Sequence, residues 1–286
     1  MLRVAGPSAT LLLRGESVEA PLLPRLPGGP PVVGDRVEVR EGDGSVLVTR
    51  VLPRATTLDR SIGPTGGVRT VVANADLLIV VAAVVNPPLR PRLVDRYLVA
   101  AWAGGLDAAI VLTKADLADD LSEAAEVAER YRAVGYPVLV GNAKDQGLLD
   151  QVRDLIGGRV AALAGHSGVG KSRLTRGLTG VDRLTGSVSA KNLKGRHTTS
   201  DPRLIPLPGG GAVVDTAGER TFFIPPLTPE ELAESFPEIA AAAAGCRFRG
   251  CSHAGDAGCA VEDRVSPERL DSYRRLLETI SAGRSP

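Results

Sequence analysis

The sequence has few aromatic residues, few cysteines and no long apolar run. Aromatic side chains make up 3% of its 286 residues, and its three cysteines all lie within residues 246–259. Cysteines gathered in one short segment favour metal binding over a disulfide framework. The longest apolar run, residues 77–85, is much shorter than the roughly 20 residues of a membrane-spanning helix. The first residues also lack the apolar core of a signal peptide, so we expect a cytoplasmic protein with no membrane partner.

An excess of one charge sign is absent as well, because 34 Lys and Arg stand against 33 Asp and Glu. This balance excludes a globally basic nucleic-acid-binding protein. Locally, however, residues 159–203 contain nine Lys or Arg and two Asp. This basic region could serve a bound nucleotide, face RNA phosphates or form a solvated surface, and composition leaves these alternatives open.

A glycine-rich motif at residues 165–172 is the strongest signal in the chain. It follows the apolar run 160–164 and precedes leucines that are spaced for a helix. Glycines allow successive backbone N–H groups to turn onto a polyphosphate at a helix N-terminus, so the alternative of a chance glycine-rich turn is disfavoured. Lys171 would reach the β- and γ-phosphates, and the Ser172 hydroxyl would ligate Mg²⁺. The expected phosphate-binding residues are Gly165, His166, Ser167, Gly168, Val169, Gly170, Lys171 and Ser172.

Strands and helices alternate through the central part, residues 69–224. Apolar runs lie at 77–85, 107–112, 137–140 and 160–164, with helices predicted over 91–104, 122–134 and 148–156. Continuous apolar runs are typical of parallel strands that are covered on both faces. The sequence therefore predicts a doubly wound α/β sheet whose ligand lies at the carboxyl ends of the strands.

Two loops at such strand ends indicate guanine recognition. The first, similar to the Asn-Lys-x-Asp motif of GTPases, consists of Thr113, Lys114, Ala115 and Asp116. The Asp116 carboxylate would accept from N1–H and the amino group of guanine, which adenine cannot match, although it could instead cap a helix. Thr113 offers fewer hydrogen bonds to brace the loop than the usual asparagine would. The second loop, expected to lie over the base, consists of Gly141, Asn142 and Ala143.

Two further patterns follow the phosphate loop. Residues 195–199 read Gly-Arg-His-Thr-Thr, and either Thr198 or Thr199 could bring a hydroxyl to Mg²⁺ and the γ-phosphate. A strand over 211–215 then ends in Asp-x-x-Gly, where Asp215 would lie in the outer shell of Mg²⁺ and the Gly218 N–H would sense the γ-phosphate. Each pattern also occurs by chance, but their combination favours a nucleotide hydrolase. The expected catalytic residues are Lys171, Ser172, Thr198, Thr199, Asp215 and Gly218, with Ser172 and Thr198 on magnesium.

The C-terminal part, residues 225–286, carries a compact set of metal-ligand residue types. Cys246, Cys251, His253 and Cys259 lie within fourteen residues. Three thiolates and one imidazole would complete a closed tetrahedral Zn²⁺ site with a structural role, one ion per chain. The alternative is buried reduced cysteines beside an exposed histidine. Helices are predicted from a capping box at 228–231, over 240–244 and over 266–282, so we expect a helical zinc-binding domain.

The N-terminal part, residues 1–68, reads as a small β-barrel, with an OB-like barrel as the leading candidate. Short β-rich runs at 9–14, 36–40 and 45–52 are separated by Gly- and Pro-rich turns, and residues 53–67 look like a linker. Many OB barrels bind nucleic acid with stacked aromatics. Aromatic residues are missing from residues 1–68, so the barrel would hold RNA through arginines and shape, or would only position its neighbour.

The order of the motifs indicates a family. Ordinary GTPases run phosphate loop, switch threonine, Asp-x-x-Gly and guanine motif, whereas here the guanine motif comes first. Such an order is a circular permutation. With a barrel in front and the Cys/His cluster behind, the chain resembles the RsgA family of ribosome small-subunit-dependent GTPases over essentially its whole length. The likeness includes Pro53-Arg54 and residues 73–76.

The resemblance implies a GTP hydrolase that forms GDP and phosphate with Mg²⁺ and acts late in assembly of the 30S subunit. It also implies 16S rRNA binding and stimulation by the subunit, and we expect a monomer with slow turnover on its own. Glu219 stands where this family usually has an apolar residue, and His197 is either a base or a loop residue. The rivals are an ATPase and an RNA-binding module that uses GTP only as a conformational ligand.

Overall fold

The computed structural model describes residues 1–42, 44–62, 67–181, 202–216 and 222–282. Its N-terminal part is built from β-strands. They are β1 (Arg3–Ala5), β2 (Ser8–Leu13), β3 (Glu16–Pro21), β4 (Val37–Gly42), β5 (Ser45–Val51), β6 (Thr57–Ser61) and β7 (Val68–Ala73). Strands β1–β3 form an antiparallel sheet, while β4 pairs with β5 and β6 with β7. A small core of Ala9, Leu11, Ala20 and Val48 fills the first five strands.

A buried carboxylate holds this N-terminal part together. Asp35 is fully buried, and its two oxygens accept from Nε and Nη2 of Arg54 at 2.8 and 2.9 Å. One of these oxygens also accepts from the backbone N–H of Val32 at 2.7 Å. The hydrogen bond from Asp35 raises the pKa of Arg54 further above its ordinary value. The bidentate pair ties the turn before β4 to the segment after β5.

The segment expected to be a linker contains a strand. Residues 57–61 form β6, which pairs antiparallel with β7 around an irregularity between Leu58 and Asp59. Leu58 and Val72 are buried in the large core of the central part, and Thr57 N donates to Gly104 O at 3.1 Å. The linker prediction was wrong because β6 owes its extended conformation to pairing with β7, which local sequence patterns do not reveal.

The central part alternates strands and helices as predicted. Its elements are β8 (Leu77–Ala83), α1 (Pro91–Ala103), β9 (Asp107–Thr113), a 3₁₀ turn (Ala115–Leu117), α2 (Ser122–Ala133), β10 (Val138–Val140), α3 (Gln146–Ile156), β11 (Val160–Ala164), α4 (Lys171–Thr179), β12 (Arg203–Pro206) and β13 (Ala212–Asp215). Within the described residues they form a six-stranded sheet of order β10-β9-β8-β11-β13-β12. All pairings are parallel except that of β12, an unpredicted edge strand antiparallel to β13.

Both faces of this sheet are covered. Leu78 and Val80 of β8 pack into a core with α1 and α2, whereas Leu77, Ile79 and Val81 pack into a second core with α3 and α4. This explains why β8 is a continuous apolar run. Strand order reverses between β8 and β11, since β9 lies on one side of β8 and β11 on the other. Ligands of open α/β sheets bind at such a reversal, beyond the carboxyl ends of the strands.

The C-terminal part adds helices α5 (Pro229–Glu234), α6 (Pro237–Ala243) and α7 (Pro267–Ser281). The predicted capping box is present: Thr228 Oγ1 accepts from Glu231 N, and a Glu231 carboxylate oxygen accepts from Thr228 N. The rings of Phe236 and Tyr273 pack edge to face, with 5.6 Å between their centroids, in the core that also contains Leu78. In the part of the chain that the structure describes, none of the helices is long and apolar enough to cross a bilayer.

A buried ionic network fastens α7 to the central part. Arg269, 3% exposed, pairs with Asp95 of α1 and with Glu238 of α6, and Tyr131 of α2 donates to the same Asp95 at 2.6 Å. The guanidinium also lies 4.5 Å from the ring centroid of Phe236. Burial alone would lower the pKa of Arg269, but the two carboxylates raise it. The central and C-terminal parts therefore share an apolar core and a buried network of ion pairs.

Candidate nucleotide-binding site and metal centre

The phosphate-loop motif lies at the predicted place, between β11 and α4. Its three glycines, Gly165, Gly168 and Gly170, have φ of +148°, +82° and +99°. Residues that carry a side chain rarely adopt such backbone angles. A Cβ on Gly165 would lie 2.1 Å from the carbonyl oxygen of Val81. Glycine is therefore required for the loop to pack directly onto β8.

Lys171 carries a buried positive charge into this loop. It is 5% exposed, and its Nζ donates to the carbonyl oxygens of Gly165 at 2.6 Å and His166 at 3.0 Å. Lys171 is also the first residue of α4, whose N-terminal amide groups and helix dipole favour an anion. The lysine and the helix end thus present positive potential at the same place.

Thr113 links the guanine-type motif to the phosphate loop. Its side chain is fully buried at the end of β9, and its hydroxyl donates to the carbonyl oxygen of Val169. A Cβ on Gly170 would stand 3.4 Å from the same hydroxyl oxygen. The sequence suggested that threonine would brace this loop less well than asparagine, yet a single hydroxyl makes the contact between the two motifs.

The residues after Thr113 lie next to the second predicted loop. Ala115 N donates to Gly141 O at 3.2 Å, and Gly141 N donates to Leu112 O at 2.9 Å. Lys114 adopts a left-handed backbone with φ of 61°, and its Nζ donates to the carbonyl oxygen of Asn86. The contact between Lys114 and Asn86 could not be predicted from the sequence, because Asn86 lies in the loop that follows β8, a different strand.

Asp116 lies in the 3₁₀ turn with an exposed side chain, and it caps none of the described helices. That arrangement removes the helix-cap alternative and leaves the carboxylate accessible to a ligand. In the second loop, Asn142 Oδ1 accepts from Lys144 N at 2.9 Å, and Ala143 is buried. Asp145 then caps α3 by accepting from Gly147 N at 3.1 Å. These local bonds fix the shape of the 141–143 loop, and the bond from Ala115 N to Gly141 O places it beside the 113–116 loop.

Ser172 and Asp215, the expected magnesium-side residues, line one cavity of about 240 Å³. Asp215 ends β13 and is buried, one strand away from β11. Arg3, Thr10 and Arg203 line the same cavity, and sequence reasoning missed them because they come from β1, β2 and the unpredicted β12. Three of the predicted site residues, Thr198, Thr199 and Gly218, lie outside the described residues, as do His197 and Glu219.

The four predicted metal ligands come together in the C-terminal part. One ligand atom from each of Cys246, Cys251, His253 and Cys259 lies within 4.8 Å of all the others. His253 Nδ1 is 3.6 Å from Cys246 Sγ and 3.5 Å from Cys259 Sγ. A tetrahedral centre with zinc–sulfur bonds of about 2.3 Å and zinc–nitrogen bonds of about 2.05 Å separates sulfur from nitrogen by about 3.5 Å. The donor set and its spacing therefore fit a tetrahedral metal ion.

Burial acts on the protonation of two of these ligands in opposite senses with respect to metal binding. His253 is buried rather than exposed, which contradicts the alternative of an exposed histidine, and burial lowers its pKa toward the neutral, ligating form. Burial raises the pKa of the Cys251 thiol to about 12. A divalent cation would reverse that preference by stabilising the thiolate.

Side chains of helix α7 hydrogen-bond to the loop that carries the predicted metal ligands. Tyr273 Oη donates to Ser252 O at 2.9 Å, and Arg274 Nε donates to His253 O at 3.1 Å. On the other side, one Asp256 oxygen accepts from the N–H and the hydroxyl of Ser252 at 3.0 and 2.7 Å. The ligand His253 is thus positioned by the same helix that carries Arg269.

The fold and the site together define a class of protein. A phosphate loop and a guanine-type loop meet at the carboxyl edge of one α/β sheet, and the guanine-type loop comes first in the chain. This is the arrangement of a circularly permuted GTPase.

Comparison with known proteins gives the family. A family model described as RsgA GTPase matches residues 51–224. The small ribosomal subunit biogenesis GTPase RsgA of Gemmatimonas aurantiaca is 41% identical over 263 residues, or 88% of this chain and 85% of that protein. The structure of YjeQ from Thermotoga maritima is 27% identical with a TM-score of 0.77, covering 98% of this chain and 96% of that chain. YloQ, described as a circularly permuted GTPase, is 26% identical with a TM-score of 0.74, covering 98% and 93%. This chain belongs to the RsgA GTPase family, whose members are GTP-hydrolysing enzymes.

Proposed function

We propose that the chain hydrolyses GTP to GDP and phosphate during late maturation of the 30S ribosomal subunit, and that the subunit stimulates the reaction. The observation that carries the proposal is the contact between Thr113 and Val169, because it joins a guanine-type loop to a phosphate loop in one site. The role in 30S maturation rests on relatives that are named for small-subunit biogenesis.

Each part of the site has a task in this reaction. Lys171 and the N-terminal amides of α4 would neutralise the β- and γ-phosphates while water attacks in line. Ser172 and Thr198 or Thr199 would hold Mg²⁺, with Asp215 in its outer shell, and the ion when bound stabilises charge on the phosphate oxygens. The Asp116 carboxylate would select guanine, and Lys114 would pack its stem along the base. The remaining residues of 165–170, together with 115 and 141–143, would line the nucleotide.

Zinc is the metal that we propose for the cysteine–histidine cluster, with one ion per chain in a structural role. The support is the complete set of four protein ligands, which leaves no coordination position for a substrate. Cysteine sulfur and imidazole nitrogen are also ligands that zinc prefers over the harder magnesium ion.

We propose a division into an OB-like barrel over residues 1–68, a permuted GTPase domain over 69–224 and a helical zinc-binding domain over 225–286. Sheet β1–β3 and hairpin β4–β5, with their separate small core, support the first unit. Hairpin β6–β7 crosses the first boundary, since it packs on α1. We propose 16S rRNA as the partner of the flanking domains, with the protein acting as a monomer in the cytoplasm, where ribosomal subunits mature.

The test is steady-state GTP turnover with and without purified 30S subunits. We expect slow turnover alone and clear stimulation by the subunit, with ATP failing to compete. Equal turnover in both conditions would contradict the proposed role. A Lys171→Ala variant separates the enzyme from an RNA-binding module that only senses GTP, because assembly activity that survives the loss of hydrolysis favours the module.

A further inference from the structure

Phe248 is an exposed aromatic residue in a chain that buries most of its few aromatics. Its side chain is 56% exposed, whereas Phe222 and Phe236 are 3% and 0% exposed. Its neighbours Arg247 and Arg249 are exposed as well. Residues 247–249 lie between Cys246 and Cys251, two of the four predicted metal ligands. Exposed aromatic rings beside positive charges are the features with which proteins bind single-stranded nucleic acid.

The backbone of residues 247–249 is hydrogen-bonded at its start and turns sharply at its end. Cys246 N donates to Ala243 O at 3.0 Å, and Arg247 N donates to Gly258 O at 3.1 Å. Gly250 follows with φ of +77°, a conformation that turns the chain back toward Cys251. Because the ligands on either side belong to the same cluster, a bound metal would fix the position of the ring before any partner arrives. Such preorganisation lowers the entropy cost of binding.

Residues 247–249 also carry the positive charges of Arg247 and Arg249. Within the described ranges, neither Arg247 nor Arg249 forms an ion pair, although Arg269, Arg274 and Arg275 of the nearby α7 all do. The guanidinium carbon of Arg247 lies 5.3 Å from the centroid of the Phe248 ring. An aromatic ring flanked by two arginines that have no carboxylate partner among the described residues matches a base that stacks between phosphates.

We propose that residues 247–249 bind single-stranded RNA, with one unpaired base stacked on Phe248 and the flanking phosphates on Arg247 and Arg249. Duplex RNA is disfavoured, since its bases are already stacked on one another and cannot reach the ring. The inference rests on the proposed ribosomal role and assigns to it a contact point for RNA. It adds a stacking residue to a protein whose N-terminal barrel has no aromatic residue.

The experiment compares full-length, zinc-loaded variants in fluorescence-anisotropy titrations against a single-stranded RNA of mixed sequence and a duplex of equal length. Phe248→Leu should weaken single-strand binding roughly 5- to 150-fold, because stacking of one base is lost. Phe248→Tyr should retain it. Replacing both arginines, in Arg247→Gln with Arg249→Gln, should flatten the dependence of log K on log salt by roughly 1.4. Trp102→Leu, which alters a partly exposed aromatic on α1, is the matched control and should change nothing.

Zinc content and basal GTP turnover are measured on every variant and should match the wild type, which shows that the fold is intact. Single-strand binding by Phe248→Leu equal to that of the wild type overturns the inference, as does equal loss of duplex and single-strand binding. Loss of 30S binding with unchanged RNA binding would indicate a protein contact and also overturns it. Failure of the wild type to respond to 30S subunits would instead count against the proposed function, so the two failures are distinguishable.

Discussion

The Thr113 hydroxyl donates a hydrogen bond to the carbonyl oxygen of Val169, 56 residues further along the chain. Both groups are buried, and they belong to the loops expected to bind the base and the phosphates of one nucleotide. The bond therefore sets the distance between two halves of the site that the permutation has separated in sequence.

Replacing Thr113 with valine should weaken nucleotide binding. Valine keeps the shape of threonine but leaves the Val169 carbonyl without its donor in a buried place, which costs about 1–3 kcal/mol. We expect affinity for both GTP and GDP to fall about tenfold or more in fluorescent-nucleotide titrations, with Thr113→Ser restoring most of it. Wild-type affinity in Thr113→Val would show that the two loops are positioned by other contacts.

Changing Asp116 to asparagine should change base preference more than phosphate binding. An amide cannot accept from N1–H and the amino group of guanine at the same time, but its N–H₂ can donate to the additional carbonyl of xanthine. We expect GTP binding to fall and xanthosine triphosphate binding to rise, measured side by side with unchanged zinc content. Equal losses for both nucleotides would place Asp116 outside the base pocket.

Removing the Ser61 hydroxyl should loosen the segment that contains Phe223 and Ile224. Ser61 Oγ donates to Ile224 O at 2.9 Å in a buried place, and its N–H donates to Phe223 O at 3.2 Å. Ser61→Ala should lower the free energy of unfolding by about 1–3 kcal/mol in urea denaturation, because the Ile224 carbonyl loses its partner. Ser45→Ala is the control, since its hydroxyl bonds to Gly42 O on the surface. Equal effects of the two substitutions would contradict a special role for Ser61.

Replacing Arg269 with methionine should destabilise the protein strongly. Asp95 and Glu238 would then remain buried without their cation, a situation that costs about 3–5 kcal/mol. Thermal unfolding should show a large decrease in Tm, and adding Asp95→Asn should recover part of it. Arg275→Met, which breaks an exposed pair with Asp271, should cost no more than about 1 kcal/mol. A mild effect of Arg269→Met would show that water reaches the network.

Removing the metal should disturb α7 more than the nucleotide site. Tyr273 and Arg274 of α7 bond to the backbone at Ser252 and His253, so loss of the metal releases one side of the helix. A strong chelator should release one zinc per chain and increase amide exchange in 246–259 and α7, while GTP affinity stays within about twofold. Unchanged exchange in α7 would show that its packing on α1 suffices.

Much of the site could be predicted from sequence because its chemistry depends on local spacing. The Gly165–Ser172 motif requires particular backbone conformations and a helix start at fixed offsets, and the metal ligands fall within one short segment. The capping box at Thr228 and the apolar run of β8 are likewise local patterns, and the structure confirms both.

The sequence by itself determined most of the elements, the order of the motifs and the Cys/His set of the candidate metal centre. Only the tertiary structure decided which distant groups meet: Thr113 with Val169, Arg269 with Asp95, and Ser61 with Ile224. The physical reason is that periodicity and turn chemistry act over a few residues, whereas pairing across a sheet and burial of a charge depend on how whole elements pack. For the same reason, the β6 and β12 strands were missed, since each owes its conformation to a partner strand.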